Sequence, residues 1–214
     1  ETLAAGGFQP VLIEQEIDGL LFTGSAAAGS HFRRVFADRP DVILALELGG
    51  NNPLVAWDVG DVQSAAHLIV QSAFVSAGQR CSCARRLIVP AGAAGDEIVE
   101  ALTQGMDKIV VGAPFDEPAP FMGPVIDLAS AQALLEAQDR LGGQAIRPMR
   151  QVETGRPFLT PGLIDVTGVP IPDVEHFGPL LKLVRAGDWD EAVASANATR
   201  FGLAAGLLSD DEAR

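Results

Sequence analysis

The chain has 214 residues, of which 48% are hydrophobic, and its 15 basic and 28 acidic residues give a formal net charge of −13 at pH 7. This length and apolar content suffice for one large domain, or one and a half, with a sizeable packed core. The acidic balance argues against nucleic acid or an anionic membrane as a partner, because either needs a basic face, and no apolar run approaches the ~18 residues of a membrane span.

The first elements form a strand, a glycine turn and a helix. Residues 1–19 are predicted to be helical or turn-like, and residues 20–22 are predicted to form a short buried strand. Gly24 and Ser25 then open a helix whose apolar face carries Ala28, Phe32, Val35 and Phe36. A helix that begins in this way presents backbone N–H groups to a phosphate. Because serine is also an excellent N-cap residue, an ordinary cap is the alternative interpretation of Ser25.

A carboxylate interrupts the next strand. Residues 42–48 form a near-continuous apolar run broken only by Glu47, which predicts a central parallel strand covered on both faces. A carboxylate at the end of such a strand is costly unless it has a function or a partner. Ligands of open α/β sheets bind beyond the carboxyl ends of strands, where Glu47 stands. A structural ion pair with an arginine is the alternative.

A thiol follows the longest amphipathic pattern. Apolar residues recur at helical spacing from Val62 to Ala77, Gly78 ends the pattern, and residues 85–89 read as a strand closed by Pro90. Cys81 therefore lies on a short connection between a helix and a strand, where catalytic groups are often found.

The cysteines allow other interpretations. A guanidinium such as that of Arg80 would favour the reactive thiolate, but a lone cysteine is often a small buried hydrophobe. Cys81 and Cys83 are too close in sequence to indicate a disulfide framework, so we expect a reducing, cytoplasmic location. Their Cys-x-Cys spacing is not the usual zinc spacing, so no metal site is expected. A cysteine protease is a poor alternative because no recognisable triad context surrounds His31, His67 or His176.

The remaining chain alternates helices and strands, which indicates α/β architecture. A loop rich in proline and glycine is predicted over residues 112–124, short strands and turns over residues 142–172, and a strand over residues 180–184. Three further helices are predicted, each with an aspartate at its N-cap: Asp96, Asp127 and Asp188. The last of them is predicted to end near Asn197.

Three motifs resemble signatures of the aldehyde dehydrogenase superfamily. Residues 74–81, Phe-x-x-x-Gly-Gln-x-Cys, resemble its active-site signature, which implies that Cys81 is the nucleophile. Residues 46–50, Leu-Glu-Leu-Gly-Gly, look like its glutamate motif, which implies that Glu47 is the general base. Residues 175–179, Glu-His-Phe-Gly-Pro, are similar to its Glu-x-Phe-Gly-Pro motif.

The resemblance implies a fold and a cofactor. We expect an aldehyde-dehydrogenase-like three-layer fold with a mostly parallel sheet. Residues 1–50 would end the dinucleotide-binding domain, and residues 51–214 would form a catalytic domain that is incomplete at its C-terminus. The cofactor would be NAD, with Gly24 and Ser25 beside the pyrophosphate, and Glu175 and Phe177 near the nicotinamide ribose. The full-length form would be a homo-oligomer.

The resemblance also implies a reaction. Cys81 would add to a small-molecule aldehyde, a thioester would form, and Glu47 would activate the water that hydrolyses it. The implied substrate is dianionic and extended, and Arg80 is the candidate that binds its carboxylate, with thiolate tuning or a structural ion pair as alternatives. Superfamily members are more than twice this long. A non-catalytic fragment or association partner is therefore the competing interpretation, and activity of this chain alone is doubtful.

Overall fold

The computed structural model describes residues 16–214, which fall into two units that divide between Gly49 and Gly50. The predicted helical or turn-like structure of residues 1–15 lies outside the described residues. The functions assigned above to residues 1–50 and 51–214 stay predictions.

The first unit contains a strand–helix–strand arrangement. Strand β1 (Gly19–Gly24) pairs in parallel with β2 (Ile43–Leu48), and helix α1 (Ala26–Val35) connects them. Ser25 caps α1, because its side chain accepts a hydrogen bond from the Ala28 N–H. The predicted strand position, cap and helix are confirmed, but the prediction that residues 20–22 are buried is wrong, because Leu20 and Phe22 are half-buried and Leu21 is exposed.

The prediction that β2 is covered on both faces is wrong for the described unit. Side chains alternate between the two faces of a strand, and α1 packs on one face only. That face joins Phe22 and Leu44 to the buried Phe32. On the other face, Leu21 is 84% exposed and Ile43 is 71% exposed.

A six-stranded sheet organises the second unit, in the order β5-β6-β7-β4-β3-β8. Every neighbouring pair is parallel except the antiparallel pair β5–β6, which confirms the predicted mostly parallel α/β sheet. The strands are β3 (Pro53–Ala56), β4 (Arg86–Pro90), β5 (Gln144–Arg147), β6 (Gly162–Asp165), β7 (Leu180–Ala186) and β8 (Gly206–Leu208).

Four helices cover this sheet, and side-chain caps begin three of them. The helices are α2 (Val62–Phe74), α3 (Ala93–Met106), α4 (Leu128–Arg140) and α5 (Trp189–Asn197). Asp61, Asp127 and Asp188 accept backbone hydrogen bonds at the starts of α2, α4 and α5. The predictions for Asp127 and Asp188 are therefore confirmed.

The predicted cap at Asp96 is wrong. Helix α3 begins at Ala93, and Gly92 occupies its N-cap position. Asp96 lies in the first turn, where a carboxylate interacts favourably with the helix dipole, and it also pairs with Arg185 at 2.8 Å.

The layers follow from the alternation of strand side chains. On one face of the sheet, Leu87 and Leu183 join a large apolar core with α2, α3 and α4. On the other face, Ile88 packs with Trp57 and α5. The predicted three-layer arrangement of helices, sheet and helix is thus confirmed in this unit. No helix in residues 16–214 is long and apolar enough to cross a membrane.

Candidate active site

A left-handed turn precedes the predicted nucleophile. Helix α2 ends at Phe74 and does not continue to Ala77 as its apolar pattern predicts. Ser76, Ala77 and Gly78 have φ angles of 56°, 54° and 66°. This conformation costs a non-glycine residue ~1–2 kcal/mol, and such strain is often found at active sites, where the surrounding structure holds it.

Cys81 lies in the turn that leads from this segment to β4. Its residue is exposed, whereas Cys83 is buried. The side-chain amide of Asn52 donates hydrogen bonds to the carbonyl oxygens of both cysteines, at 2.7 Å for Cys81 and 2.9 Å for Cys83. Because Asn52 immediately precedes β3, the thiol turn is tied to the start of a central strand.

Gln79 of the same motif ties the turn to a second loop. Its Nε2 donates to the Pro124 carbonyl oxygen at 3.1 Å, and its Oε1 accepts from the Ile126 N–H at 2.9 Å. These two bonds give the glutamine of the motif a structural role.

Arg85, which was not predicted as a site residue, binds the thiol turn from inside the protein. It is fully buried. Its Nη1 donates to the Gly78 carbonyl oxygen at 2.6 Å, and its Nη2 donates to the Arg80 carbonyl oxygen at 3.0 Å. A signal for it exists in the sequence, because a charged side chain in the predicted strand of residues 85–89 is costly to bury unless it is paired.

The predicted cofactor segment lies against the same guanidinium. The Glu175 carboxylate is 3.5 Å from Arg85 Nη2, and the Phe177 ring centroid is 5.3 Å from its central carbon. Phe177 is 46% exposed, so its ring can also contact a ligand. Within this unit, the structure therefore brings Glu175 and Phe177 together with the turn that carries Cys81.

A buried polar network lies behind this segment. Lys182 Nζ donates to Asn51 Oδ1 at 2.9 Å, and Asn51 Nδ2 donates to Asp173 Oδ1 at 2.7 Å. Burial, together with the charge of Arg86, lowers the pKa of Lys182 to about 8. The network explains why an amide suits position 51, since it joins an ammonium to a carboxylate.

His176 is the most perturbed histidine of this region. Burial is the main cause that lowers its pKa to about 4. The positive charges of Lys182, Arg85 and Arg140 act in the same direction. Its Nε2 is buried and has no hydrogen-bond partner among the described residues.

Arg80, predicted to bind substrate, is exposed beside the thiol. Its Nε donates to Ser76 Oγ at 3.1 Å. Within residues 16–214 it forms no ion pair with a carboxylate, and the alternative of a structural ion pair stays open.

The other predicted residues lie at one end of the first unit. Thr23 is opposite Glu47 in the parallel register, so Gly24, Ser25 and Glu47 all stand at the carboxyl ends of β1 and β2. The first turn of α1 carries no acidic side chain and begins with alanines, which suits the approach of a phosphate to its N–H groups. Glu47 is exposed and has no ion-pair partner in the described part of the chain.

Metal ligation has no support in the described part of the chain. Residues 16–214 contain no group of three or more histidine, cysteine, aspartate or glutamate side chains that could hold a metal ion.

The sequence is similar to enzymes that act on an aldehyde group. It is 58% identical over 218 residues to N-succinylglutamate 5-semialdehyde dehydrogenase 1 of Caulobacter vibrioides, covering 99% of this chain and 46% of that protein. It is 56% identical over 201 residues to N-succinylglutamate 5-semialdehyde dehydrogenase of Chromohalobacter salexigens, covering 92% of this chain and 41% of that protein. The chain thus spans less than half the length of these relatives.

Solved structures have the same fold. A 1-pyrroline-5-carboxylate dehydrogenase from Thermus with bound NAD superposes with a TM-score of 0.85 at 28% identity, covering 95% of this chain and 41% of that one. An NAD-dependent aldehyde dehydrogenase from Sinorhizobium meliloti gives a TM-score of 0.85 at 31% identity, with the same coverage of 95% and 41%. Residues 8–214 match the family model described as the aldehyde dehydrogenase family, and this chain therefore belongs to that family.

Proposed function

We propose that the intact enzyme containing this chain oxidises an aldehyde to a carboxylate with NAD. The observation that carries the proposal is the exposed Cys81, held on a turn whose carbonyl oxygens are bound by Asn52 and Arg85. A thiolate is an intrinsically strong nucleophile, and rigid support of its backbone favours a fixed angle of attack.

In the first half of the reaction, Cys81 forms a bond to the substrate. Its thiolate attacks the aldehyde carbon, the carbonyl π bond breaks, and the product is a thiohemiacetal oxyanion. NAD, when bound, supplies a two-electron acceptor for the hydride that leaves this carbon. The substrate then remains on Cys81 as a thioester.

In the second half, Glu47 acts as the general base. Its carboxylate takes a proton from a water molecule, whose oxygen attacks the thioester carbon. The carbon–sulfur bond breaks, the carboxylate product leaves, and the Cys81 thiolate is restored. The exposure of Glu47, at the carboxyl end of β2 and without an ion-pair partner in the described residues, supports this role.

Two sets of residues are proposed to hold the cofactor. Gly24 and Ser25 would face the pyrophosphate at the N-terminus of α1, where backbone N–H groups favour an anion. Glu175 and Phe177 would contact the nicotinamide ribose. The family membership and the NAD named with the Thermus relative support NAD as the cofactor.

The proposed substrate is N-succinyl-L-glutamate 5-semialdehyde, and the product is N-succinyl-L-glutamate, a step of arginine catabolism. Six relatives that bear this enzyme's name are 54% to 59% identical to the chain, which supports this choice. Arg80 would bind a substrate carboxylate, since a guanidinium can form two parallel hydrogen bonds to it. A cytoplasmic location and a homo-oligomeric intact enzyme complete the proposal.

A second candidate follows from the coverage of the relatives. The chain spans 46% of the Caulobacter vibrioides protein, so by itself it is a candidate non-catalytic association partner.

Cofactor reduction by the intact enzyme tests the function. We expect steady formation of NADH with N-succinylglutamate 5-semialdehyde, and slower formation with an uncharged aldehyde of similar length. Absence of NADH formation with either aldehyde would refute the proposed oxidation. The same assay on the 214-residue chain, mixed with an inactive intact variant, separates the two candidates. NADH formation would assign catalysis to the chain, and its absence would favour the non-catalytic association partner.

A further inference from the structure

We propose that Arg85 is a positioning residue that locks the thiol turn to the segment of Glu175 and Phe177, so that the nucleophile and the cofactor-contact segment are held as one body. This inference rests on the proposed function. It adds a residue that touches neither substrate nor cofactor in the scheme above.

The contacts of Arg85 divide between the two segments. On the thiol turn, its guanidinium donates to the carbonyl oxygens of Gly78 at 2.6 Å and Arg80 at 3.0 Å. On the other segment, it donates to the carbonyl oxygen of Gly178 at 3.4 Å and to the Glu175 carboxylate at 3.5 Å. One planar side chain therefore bridges the residues on both sides.

The backbones of the two segments also approach each other closely. A Cβ atom on Gly78 would collide with the carbonyl group of Gly178, and Gly78 has a positive φ of 66°. Only glycine fits this position without displacing a backbone, for both steric and conformational reasons. Because the two backbones are this close, the guanidinium of Arg85 can reach carbonyl oxygens of both segments.

Arginine suits this position better than lysine. Its guanidinium offers five N–H donors in a rigid plane, whereas an ammonium is a compact point charge on a flexible stem.

The neighbouring Arg86 provides a matched control. It is also buried, but its guanidinium donates to the carbonyl oxygens of Ser195 at 2.7 Å and Ala196 at 2.9 Å, near the end of α5. Its Nε donates to the Asn51 carbonyl oxygen at 2.8 Å. Arg85 immediately precedes β4 and Arg86 is its first residue, and their guanidinium groups bind different elements, so Arg86 supports a helix and not the thiol turn.

The test compares Arg85→Lys and Arg85→Ala with Arg86→Lys in the intact enzyme. The first readout is the rate of Cys81 alkylation by iodoacetamide without cofactor or substrate. The second is the KM for NAD, measured separately from kcat. Charged hydrogen bonds are strong enough that we expect both Arg85 variants to slow alkylation and raise this KM by about tenfold or more. Arg86→Lys should lower the melting temperature but change both readouts less than about twofold.

A rescue experiment separates positioning from general loss of structure. Guanidinium ion at millimolar concentration should restore part of the alkylation rate of Arg85→Ala and should have no such effect on Arg86→Lys.

If Arg85→Ala does not fold, Arg85→Lys carries both main readouts. Wild-type values of alkylation rate and KM in a folded Arg85 variant would overturn the proposal, as would equal changes in Arg86→Lys. Alkylation needs no turnover, so a wild-type enzyme that oxidises no aldehyde would refute the proposed function without deciding the role of Arg85.

Discussion

The side-chain amide nitrogen of Asn52 lies 2.7 Å from the carbonyl oxygen of Cys81. The same nitrogen lies 2.9 Å from the carbonyl oxygen of Cys83, so one buried amide fixes the backbone on both sides of Ser82. The proposed nucleophile, Cys81, is thus held through its main chain while its residue stays exposed.

This relationship predicts that Asn52→Asp damages the protein more than its similar size suggests. The new carboxylate cannot donate the two hydrogen bonds that the Asn52 amide makes, and its oxygen would instead repel the carbonyl oxygens of Cys81 and Cys83. Buried polar groups that lose their partners cost ~1–3 kcal/mol, so the melting temperature and the Cys81 alkylation rate should both fall. Asn197→Asp is the control, because the Asn197 amide donates one exposed bond to Val193. Equal melting temperatures for wild type and Asn52→Asp would contradict this account.

Arg80 should favour a negatively charged substrate over a neutral one. Arg80→Leu removes the exposed guanidinium beside Cys81. Loss of a charged hydrogen bond costs ~1.5–3 kcal/mol, so kcat/KM for the succinylated semialdehyde should fall roughly tenfold to a hundredfold. A neutral aliphatic aldehyde should be affected much less. An equal loss for both aldehydes would instead assign Arg80 to tuning of the thiolate.

The low pKa of His176 should make the free energy of unfolding depend on pH. Its pKa is about 4 in the folded chain against 6.5 for an ordinary histidine. As the pH falls, His176 is therefore protonated in the unfolded chain before it is protonated in the folded chain. The free energy of unfolding consequently decreases as the pH falls from 6.5 towards about 4. Each pKa unit corresponds to ~1.4 kcal/mol, which limits the loss to roughly 3.5 kcal/mol before solvent screening reduces it.

The measurement is the melting temperature of wild type and His176→Gln as a function of pH. The variant removes the titrating group, so its melting temperature should fall less than that of wild type between about pH 7 and about pH 4.5. Parallel curves for the two proteins would rule out this role of His176.

Local chemistry was enough to predict much of the fold. Three helices are capped as predicted, because a side-chain oxygen just before an apolar repeat can accept a hydrogen bond from a free backbone N–H of the first turn. The capping residues are Ser25, Asp127 and Asp188. Asp96 shows the limit of that argument. Acidic residues are favourable both at the N-cap and within the first turn, so the residue type alone does not distinguish the two positions.

The support of the candidate site depends on contacts between distant residues. Arg85 and the Gly178 carbonyl oxygen are 93 positions apart in sequence, and no local pattern joins them. The left-handed turn was missed for a related reason. Ala77 is buried and continues the apolar repeat, but the chain leaves the helix after Phe74 and the close approach of Gly178 fixes the backbone at Gly78.

The functions of Cys81 and Glu47 remain the central claim, and the two residues should fail differently. Cys81→Ala removes the atom that bonds to the aldehyde, so no NADH should form. Glu47→Gln keeps the size of the side chain but cannot take a proton from water. It should therefore allow one burst of NADH and then stall at the thioester, with turnover lowered by ~10²–10⁴-fold.

Stopped-flow absorbance of NADH, with both variants of the intact enzyme, tests this claim most directly. The account predicts no signal for Cys81→Ala. It predicts a burst close to one equivalent per active site for Glu47→Gln, followed by very slow turnover. NADH formation by Cys81→Ala at a rate near that of wild type would contradict the assignment of the nucleophile, and wild-type steady turnover by Glu47→Gln would contradict the assignment of the base.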